Sequence, residues 1–505
     1  MRVLGIDAGT TGLKAVLFET EDGRELGSGY VEYPLETPQE GRAEIDPEVW
    51  YSALVSAVRK ALVGDGRCEA LAFSSQGESF VLLDKENRVL RKAIVWLDRR
   101  STAECEELRG AFGQERIYRA TGDPDLDTAW LGTKLLHLRK NEPELWNRIA
   151  HVLLVEDYLI WRLTGRFCGN GALWCSTLLY DLENRRYWQP MLDYLGISQE
   201  VLPEQVSSGV VVGKVLPEIG RALGFAGEVS VVSGGMDQAC SALGSGNIQA
   251  GTGTDNTGTS FNLSATSERP VFDAKFRLPC QLHVVNDAYL CVGWSPSGGV
   301  LLRYFRDTLF PEWAASVKAE GNDFYDALVA EAATSPAGAR GLVMLPHLSG
   351  ALCPEMEPLA TAAVFGVTLQ STRGDWARAM LESVACMTRA NLDLLRDCGL
   401  PIRKLIFTGG AAKSPLWNSI KAGITGVAGH TLRQEEAGCL GAAMLAAVGK
   451  GAFASASEAV SAMVVPGGDV LPPVEYRDCA ERIYGRYQRL FGSLREMFKE
   501  RRQWE

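Results

Sequence analysis

Two short segments of the chain share one pattern of residue types, and that pattern suits phosphate binding. The first is Asp7-Ala8-Gly9-Thr10-Thr11, and the second, just past the midpoint, is Asn256-Thr257-Gly258-Thr259-Ser260. The glycine permits a tight turn in which backbone approaches a ligand closely. Backbone N–H groups and hydroxyls in such a turn can surround phosphate oxygens. The repetition predicts two domains that close on one nucleotide.

The surrounding residues predict the elements that position these two turns. Apolar runs at residues 3–6 and 14–18 flank the first turn, so a β-hairpin is expected there, with a third strand near residues 26–33. A helix should begin at Pro47, with Asp46 as its N-cap. Helical patterning is expected at residues 131–138 and again through residues 152–163.

The second half repeats this plan, with strands expected at residues 229–233 and 402–407 and a hairpin over residues 251–263. Strands that alternate with helices predict an α/β fold. At 505 residues the chain exceeds the size at which single cores stop growing, so at least two domains are expected. We place the main boundary in the glycine-rich stretch Gly244-Ser245-Gly246-Asn247, which suits a hinge. The predicted domains are 1–245 and 246–450, followed by a helical segment at 451–505 that packs on the C-terminal domain.

Composition narrows the class of protein. The formal net charge is −11 and the pI about 5.3, which argues against nucleic acid as the main partner. The twelve cysteines form no C-x-x-C pair, so we expect reduced, packed thiols rather than a metal ribbon. No leader segment and no run of about 18 apolar residues is visible, so no membrane association and a cytoplasmic location are expected.

Neither a Walker A loop nor a G-x-G-x-x-G turn after the first strand is present, so the common P-loop and dinucleotide folds lack support. Instead, residues 5–14, Gly-Ile-Asp-Ala-Gly-Thr-Thr-Gly-Leu-Lys, resemble the opening of the FGGY carbohydrate kinases, the family of xylulokinase, gluconate kinase and glycerol kinase. Further segments resemble that family in the right order: residues 41–47 with the Asp-Pro entry to the first helix, 94–100 with W-x-D-x-R, 233–239 with G-x-x-D-Q, 362–382 with the C-terminal signature, and 408–411 with the adenosine motif Thr-Gly-Gly-Ala.

The resemblance implies a two-domain actin-like, ribonuclease-H-like fold with an interdomain cleft. ATP would lie against the C-terminal domain, and the sugar would lie mostly on the N-terminal domain. Asp237 in the G-x-x-D-Q motif is then the expected catalytic base, because a carboxylate beside the attacking hydroxyl can orient it and accept its proton. A plain helix N-cap is the alternative role for this aspartate.

The resemblance also implies the nucleotide site. Asp7 would position Mg²⁺ through water, since Mg²⁺ keeps several of its waters. The expected ATP contacts are Thr10, Thr11 and Lys14 in the first loop; Gly258, Thr259 and Ser260 in the second; Gly299 and Arg303 after it; and Gly409, Gly410, Ala411 and Asn418 around the adenosine.

The sugar side is less regular. Xylulokinases usually read Gln-Met-His-Gly in the substrate loop and glycerol kinases Gln-Arg-Glu-Thr, whereas residues 76–79 here read Gln-Gly-Glu-Ser. Glu78 falls where glycerol kinases have glutamate, and a carboxylate accepts two hydroxyls well. The expected substrate contacts are Gln76, Glu78, Trp96, Asp98 and Gln238, with Asp125, Asp127 and Thr128 as further contributors.

The sequence therefore predicts an ATP-dependent, xylulokinase-like kinase that phosphorylates a small sugar or polyol, with a ketopentose such as xylulose or ribulose as the first choice. Polyols such as glycerol or erythritol, and gluconate, stay open as substrates. Two alternatives keep the fold without the chemistry: an actin-like or heat-shock-chaperone-like ATPase scaffold or nucleotide-sensing regulator, and a non-catalytic sugar-binding protein. A homodimer is a family-level expectation.

Overall fold

Two large mixed sheets, one from each half of the chain, form the framework of the protein. The computed structural model describes residues 1–501. The strands, in chain order, are β1 (Arg2–Ala8), β2 (Gly12–Glu19), β3 (Glu25–Glu32), β4 (Glu44–Ile45), β5 (Ala70–Ser75), β6 (Phe80–Leu83), β7 (Ala93–Ile94), β8 (His151–Leu154), β9 (Cys168–Asn170), β10 (Tyr180–Asp181), β11 (Arg186–Tyr187), β12 (Glu204–Val206), β13 (Val211–Lys214), β14 (Ser230–Met236), β15 (Thr252–Thr257), β16 (Phe261–Ser267), β17 (Cys280–Leu282), β18 (Tyr289–Ser295), β19 (Val343–Leu345), β20 (Ala363–Phe365), β21 (Lys404–Thr408), β22 (Gly429–Leu432) and β23 (Pro466–Val470).

Helices cover these sheets and connect their strands. They are α1 (Pro47–Ala61), α2 (Thr102–Phe112), α3 (Gln114–Thr121), α4 (Leu131–Asn141), α5 (Pro143–Trp146), α6 (Val155–Thr164), α7 (Gly171–Trp174), α8 (Gln189–Leu195), α9 (Pro217–Leu223), α10 (Asp237–Ser245), α11 (Val300–Tyr304), α12 (Pro311–Ala319), α13 (Phe324–Ala333), α14 (Arg373–Asp397), α15 (Pro415–Thr425), α16 (Ala437–Gly449), α17 (Ala456–Met463) and α18 (Ala480–Glu500). Among residues 1–501, no helix has both the length and the apolar character that crossing a membrane requires.

The two sheets share one topology. The first has the order β13-β14-β5-β1-β2-β3, and the second has the order β17-β18-β16-β15-β21-β22-β23. In the first sheet, β1 forms an antiparallel hairpin with β2 and pairs on its other side with β5, and β1, β5 and β14 run parallel. In the second sheet, β15 forms the hairpin with β16, and β15, β21 and β22 run parallel. Asp7 lies opposite Ser74, and Asn256 lies opposite Thr408 at the equivalent place. The structure therefore has the duplicated architecture expected from the two similar turns.

Helices α10 and α16 pack on each other at their glycines. A Cβ added at Gly441 would lie 1.9 Å from the carbonyl oxygen of Cys240, and one added at Gly244 would lie 1.9 Å from that of Ala437. Helix α16 also packs on β1 and β5, where a Cβ at Gly5 would lie 1.8 Å from the carbonyl oxygen of Cys439. Helix α16, which the sequence-based division assigns to the second domain, therefore packs on the first sheet.

Most predicted elements occur close to their expected bounds, with one informative difference. Asp46 caps α1 by accepting a hydrogen bond from the backbone N–H of Glu48, as expected. Residues 152–154 were predicted to be helical but belong to β8, which pairs with β6. The hydrophobic periodicity of so short an apolar run does not distinguish a strand from a helix. Pairing with the distant strand β6 therefore determined that these residues form a strand. Near the chain end, α18 packs against α14, α15 and β19.

Candidate active site

Asp237 lies where β14 ends and α10 begins, with its side chain partly exposed. Desolvation of the Asp237 carboxyl and the nearby charge of Asp7 raise the pKa of this carboxyl to about 7. The backbone N–H of Gln238 donates to its Oδ1 at 2.6 Å. The strand before it is held by Glu156, which accepts from the backbone N–H of Gly234 at 2.7 Å. The expected base is thus a positioned carboxyl whose pKa is near neutral.

Asp7 lies at the end of β1, close enough to Asp237 for their charges to interact. Its Oδ1 accepts a hydrogen bond from the Ser74 hydroxyl at 2.6 Å. Burial and the nearby charge of Glu436 raise the pKa of Asp7, although Ser74 and Lys14 oppose the change. Two carboxylates that repel each other form a donor set that a cation would stabilise. Among residues 1–501, no group of three or more acidic, histidine or cysteine side chains is assembled to hold a metal.

The tip of the first hairpin is held by side chains from three other segments. The carbonyl of Gly9 accepts from the Tyr33 hydroxyl at 2.6 Å and from the Gln76 amide at 2.7 Å. The Thr10 hydroxyl accepts from the indole N–H of Trp96 at 2.8 Å. Gln76 and Trp96 were expected to contact the sugar, but in this structure their polar groups hold the predicted phosphate loop.

Two adjacent glutamates before α16 link the first loop to the adenosine motif. The Lys14 ammonium lies 2.5 Å from Glu436. Glu435 forms an ion pair with Lys413 at 2.9 Å, next to the predicted adenosine residues. Lys14 is therefore already neutralised by a carboxylate, which a phosphate would have to displace or share.

The second loop contacts two of the glycine-containing turns expected near the nucleotide. The backbone N–H of Gly299 donates to the carbonyl of Gly258 at 2.7 Å, and a Cβ at Gly299 would lie 2.6 Å from that oxygen. Gly409, at φ +77°, leaves no room for a side chain, because a Cβ would meet Asn256 Oδ1 at 2.6 Å. Thr259 and Gly410 are exposed, and so is Arg303, one turn into α11. The second loop therefore contacts the turns at Gly299 and Gly409.

The residues predicted to contact the adenosine lie at a short helical turn after β21. Gly410 has open space where a Cβ would be, and Ala411 is buried. The buried Asn418 donates from its amide to the carbonyl of Ala412 at 2.8 Å, so it holds this turn in place.

A buried ion pair beneath the second loop was missed by sequence reasoning. Lys421 lies 2.5 Å from Asp255, and both side chains are at most 1% exposed. Asp255 also accepts from the hydroxyls of Thr257 and Thr388 at 2.7 and 2.8 Å. Burial lowers the pKa of Lys421, and Asp255 opposes that change. No motif marks this pair, because its members are far apart in the chain.

On the expected sugar side, Glu78 is buried in a left-handed backbone conformation at φ 61°. Burial raises the pKa of its carboxyl to about 7, against the opposing effects of a hydrogen bond to Ser176 and the charge of Lys134. Asp237 is close enough to add to the increase. The structure thus brings Glu78 and the expected base together.

Lys134 is the cation beside Glu78, and its ammonium is already engaged. It donates to the carbonyl of Ala129 at 2.6 Å and to that of Trp96 at 3.2 Å. Burial lowers its pKa to about 8. Asp98 is equally occupied, because its two oxygens accept from Arg100 and from the backbone N–H of Ala43. Both oxygens of Asp98 are therefore used within the protein, whereas the Lys134 ammonium keeps one N–H beyond these two hydrogen bonds.

Two further groups near Glu78 were not singled out from sequence. Asp123 is buried, whereas Asp125 and Asp127, which were expected to contribute, are exposed. Gln281 in β17 donates to the side-chain oxygen of Gln238 at 3.2 Å, so the second half of the chain reaches this pocket. A run of alternating aspartates could have suggested that one of them points inward.

Comparison with known proteins gives the same assignment. The family model described as the N-terminal domain of the FGGY family of carbohydrate kinases matches residues 2–244, and the model of its C-terminal domain matches residues 255–449. A xylulose kinase of Staphylococcus epidermidis is 29% identical over 499 residues, covering 98% of this chain and 97% of the relative. A gluconokinase of Bacillus subtilis is 27% identical over 466 residues, covering 92% and 90%.

Among solved structures, ligand-bound xylulose kinase from Lactobacillus acidophilus superposes with a TM-score of 0.89 at 25% identity, covering 98% of each chain. The α/β architecture with two sheets of one topology is accordingly the two-domain actin-like, ribonuclease-H-like fold of that family. Together the two family models cover residues 2–244 and 255–449 of the chain. The protein therefore belongs to the FGGY family of ATP-dependent carbohydrate kinases.

Proposed function

We propose that this kinase transfers the γ-phosphoryl group of ATP to a hydroxyl of a ketopentose such as xylulose or ribulose, with Asp237 as the base. The observation that carries the proposal is that Asp237 lies close enough to both Asp7 and Glu78 for their charges to interact. One neighbour belongs to the predicted phosphate loop and the other to the predicted sugar loop. This proximity supports a role for Asp237 between the substrate hydroxyl and the γ-phosphate.

Asp237 would orient the attacking hydroxyl and accept its proton. Its pKa of about 7 suits this role, because a base works best when its pKa lies near the operating pH. Phosphoryl transfer otherwise requires positioning and charge neutralisation. The partly exposed side chain of Asp237 leaves the base accessible to substrate.

The two loops and Lys14 would hold the phosphates of ATP. Thr10, Thr11 and the second loop at residues 258–260 would contribute hydroxyl and backbone N–H donors. The carboxyls of Asp7 and Asp237 fit a hydrated Mg²⁺, which binds through one or two carboxylates and keeps several waters. When bound, this ion supplies positive charge for the phosphate oxygens.

The choice of a ketopentose is supported by the xylulose kinase relatives, which align over nearly the full chain. Gluconate is the runner-up, since a gluconokinase also aligns. Gly77 lies where glycerol kinases carry arginine, so the donor that such an arginine would offer a polyol is missing here. A Cβ at Gly77 would lie 3.0 Å from the Ser176 hydroxyl, which leaves little room for a larger residue.

A coupled ADP-release screen over ketopentoses, polyols and sugar acids tests the proposal. A ketopentose should give the highest kcat/KM, and Asp237→Asn should lower kcat by about 10² or more while ATP still binds. Asp326→Asn, a change of the same kind at an exposed position of α13, is the matched control. Near-normal turnover in Asp237→Asn would remove this residue from its role. ADP release that no sugar increases would favour the ATPase-scaffold alternative.

Glu78→Gln separates the sugar loop from the nucleotide site. The substitution should raise KM for the sugar, because an amide accepts fewer hydroxyl hydrogen bonds than a carboxylate. The dissociation constant of ATP, measured by calorimetry without sugar, should stay unchanged. A change in ATP affinity instead would show that Glu78 has been misplaced.

A further inference from the structure

The strand that leads to Asp237 contains an irregularity shortly before it ends. The pairing of β14 with β5 slips by one residue between Val232 and Gly235. Residues 233–234 of β14 therefore lie opposite the single residue Phe73 of β5. Such a β-bulge bends its strand and re-aims the side chains that follow, and bulges are common next to active sites. The bulge at residues 233–234 thus helps to determine where Asp237 points.

Gly234, the second residue of the bulge, is bound by a side chain rather than by a neighbouring strand. Its backbone N–H donates to Oε1 of Glu156 at 2.7 Å. The backbone N–H of Ser233, by contrast, donates to the carbonyl of Val210 at 2.9 Å. A Cβ added at Gly234 would lie 1.7 Å from the carbonyl oxygen of Phe73, so the backbone here is closely packed.

Glu156 lies in the first turn of α6 and is 0% exposed. Its second oxygen, Oε2, accepts from the amide of Asn170 at 3.1 Å. Asn170 is itself fixed, because its Oδ1 caps α7 by accepting from the backbone N–H of Leu173 at 3.0 Å. The two oxygens of Glu156 therefore join the bulge to α6 and to the start of α7.

The hydrogen bond from Gly234 does not depend on the charge of Glu156. Burial and the nearby charge of Asp157 raise the pKa of Glu156 to about 8, and the hydrogen bonds from Gly234 and Asn170 oppose that rise. A neutral carboxyl keeps a carbonyl oxygen that accepts from the Gly234 N–H, and an ionised carboxyl accepts at both oxygens. The bulge is therefore bound in either protonation state.

We propose that Glu156 is a positioning residue for catalysis: by binding the bulge at Gly234, it sets the position of Asp237 against the substrate hydroxyl. This role rests on the proposed function, in which Asp237 is the base, and it adds a buried residue that acts through the backbone. Only residues 235–236 separate Gly234 from Asp237, so movement of the bulge reaches the base directly. A displacement of about 1 Å in a reacting group can lower a rate by about 10².

Glu156→Met tests this role, because methionine has a similar length but no strong acceptor for the Gly234 N–H. We expect kcat to fall about 10–100-fold, while KM for ATP and KM for the sugar stay within about twofold of the wild-type values. A general loss of structure would not separate kcat from KM in this way. Coupled ADP release measures both constants, and circular dichroism gives the folded fraction to which kcat is referred.

Asp157→Asn is the matched control. Asp157 is the next residue in α6 and is also 0% exposed. It accepts from the backbone N–H of Leu154 at 3.0 Å and from the indole N–H of Trp174 at 2.9 Å, and among residues 1–501 it has no hydrogen bond to β14. Its substitution should lower stability, while kcat of the folded protein stays within about twofold of wild type.

Glu156→Gln, alone and combined with Asn170→Asp, decides the question even if Glu156→Met fails to fold. Alone, the substitution sets the new amide nitrogen against the amide nitrogen of Asn170, so kcat should fall about fivefold. In Glu156→Gln/Asn170→Asp the amide and the carboxylate exchange places, and every donor again faces an acceptor. That double variant should recover kcat to within about twofold of wild type.

Hydrogen–deuterium exchange over residues 230–237 reports on the bulge without turnover. The segment should exchange at least about fivefold faster in Glu156→Met than in the wild type, because the Gly234 N–H has lost its partner. Exchange in Asp157→Asn should match the wild type.

An unchanged kcat in Glu156→Met would overturn the proposal. So would a loss of kcat in Asp157→Asn as large as that in the Glu156 variants, or a double variant that recovers none of the loss in Glu156→Gln. Failure of the proposed function would look different, because the wild-type protein would then show no sugar-dependent ADP release or Asp237→Asn would turn over normally. Exchange over residues 230–237 would still show whether Glu156 holds the bulge, and unchanged exchange in Glu156→Met would overturn that.

Discussion

Replacing Lys421 with methionine tests whether the buried ion pair beneath the second loop holds that loop in place. Methionine has a similar length but no charge, so the substitution leaves Asp255 buried with one partner fewer. Removing one member of a buried pair costs about 3–5 kcal/mol, because the remaining charge is uncompensated. Asp255 keeps hydrogen bonds from Thr257 and Thr388, so we expect the lower end, about 3 kcal/mol.

For domains of this size, about 1 kcal/mol corresponds to a Tm shift of roughly 2–4 °C, so Lys421→Met should lower Tm by about 6–12 °C. Differential scanning fluorimetry measures that shift. Lys318→Met, at an exposed position of α12, is the matched control and should change stability by no more than about 0.5 kcal/mol. The double variant Lys421→Met/Asp255→Asn should recover at least half of the loss, since the unpaired charge is gone.

The pair should also matter for nucleotide binding. Lys421 donates to the Thr257 hydroxyl at 2.6 Å, directly before the second loop. Loss of that hydrogen bond, worth about 1 kcal/mol, should raise KM for ATP about fivefold and leave KM for the sugar unchanged. A Tm change below about 2 °C in Lys421→Met, or a double variant no more stable than the single one, would refute the reasoning.

Three further predictions follow from the site and its framework. Asp237 must be ionised to accept a proton, and its pKa is about 7, so kcat/KM for the sugar should fall as pH drops through about 7. Initial rates measured in mixed buffers from pH 6 to 8 test this, and a flat profile would contradict it. Trp96→Phe removes the indole donor but keeps an aromatic ring, so kcat/KM for ATP should fall about fivefold, and an unchanged value would show that the hydrogen bond does not hold the loop. Gly441→Ala places a methyl group 1.9 Å from the Cys240 carbonyl oxygen, so it should lower the free energy of unfolding, measured by chemical denaturation, by at least about 1–3 kcal/mol. Gly110→Ala is the control: this helix position has open space for a methyl group, so the substitution should be neutral or stabilising.

The local features of this protein could be predicted from sequence because neighbouring residues determine them. Both hairpins and the start of α1 follow from turn residues, the N-cap Asp46 and hydrophobic periodicity. The repeated turn pattern was enough to predict two domains built on a repeated plan of strands and helices. Family motifs then supplied roles for residues whose types alone left several possibilities open.

The sequence by itself therefore determined the fold class, the duplicated loops and the candidate base. Only the tertiary structure decided which polar side chains are free and which are already paired. It placed Asp123 inside and Asp125 outside, joined Lys421 to Asp255, and used Trp96 to hold Thr10. The physical reason is that burial and pairing depend on segments far apart in the chain. No local pattern specifies which of these segments meet when the two sheets and the helices that cover them pack.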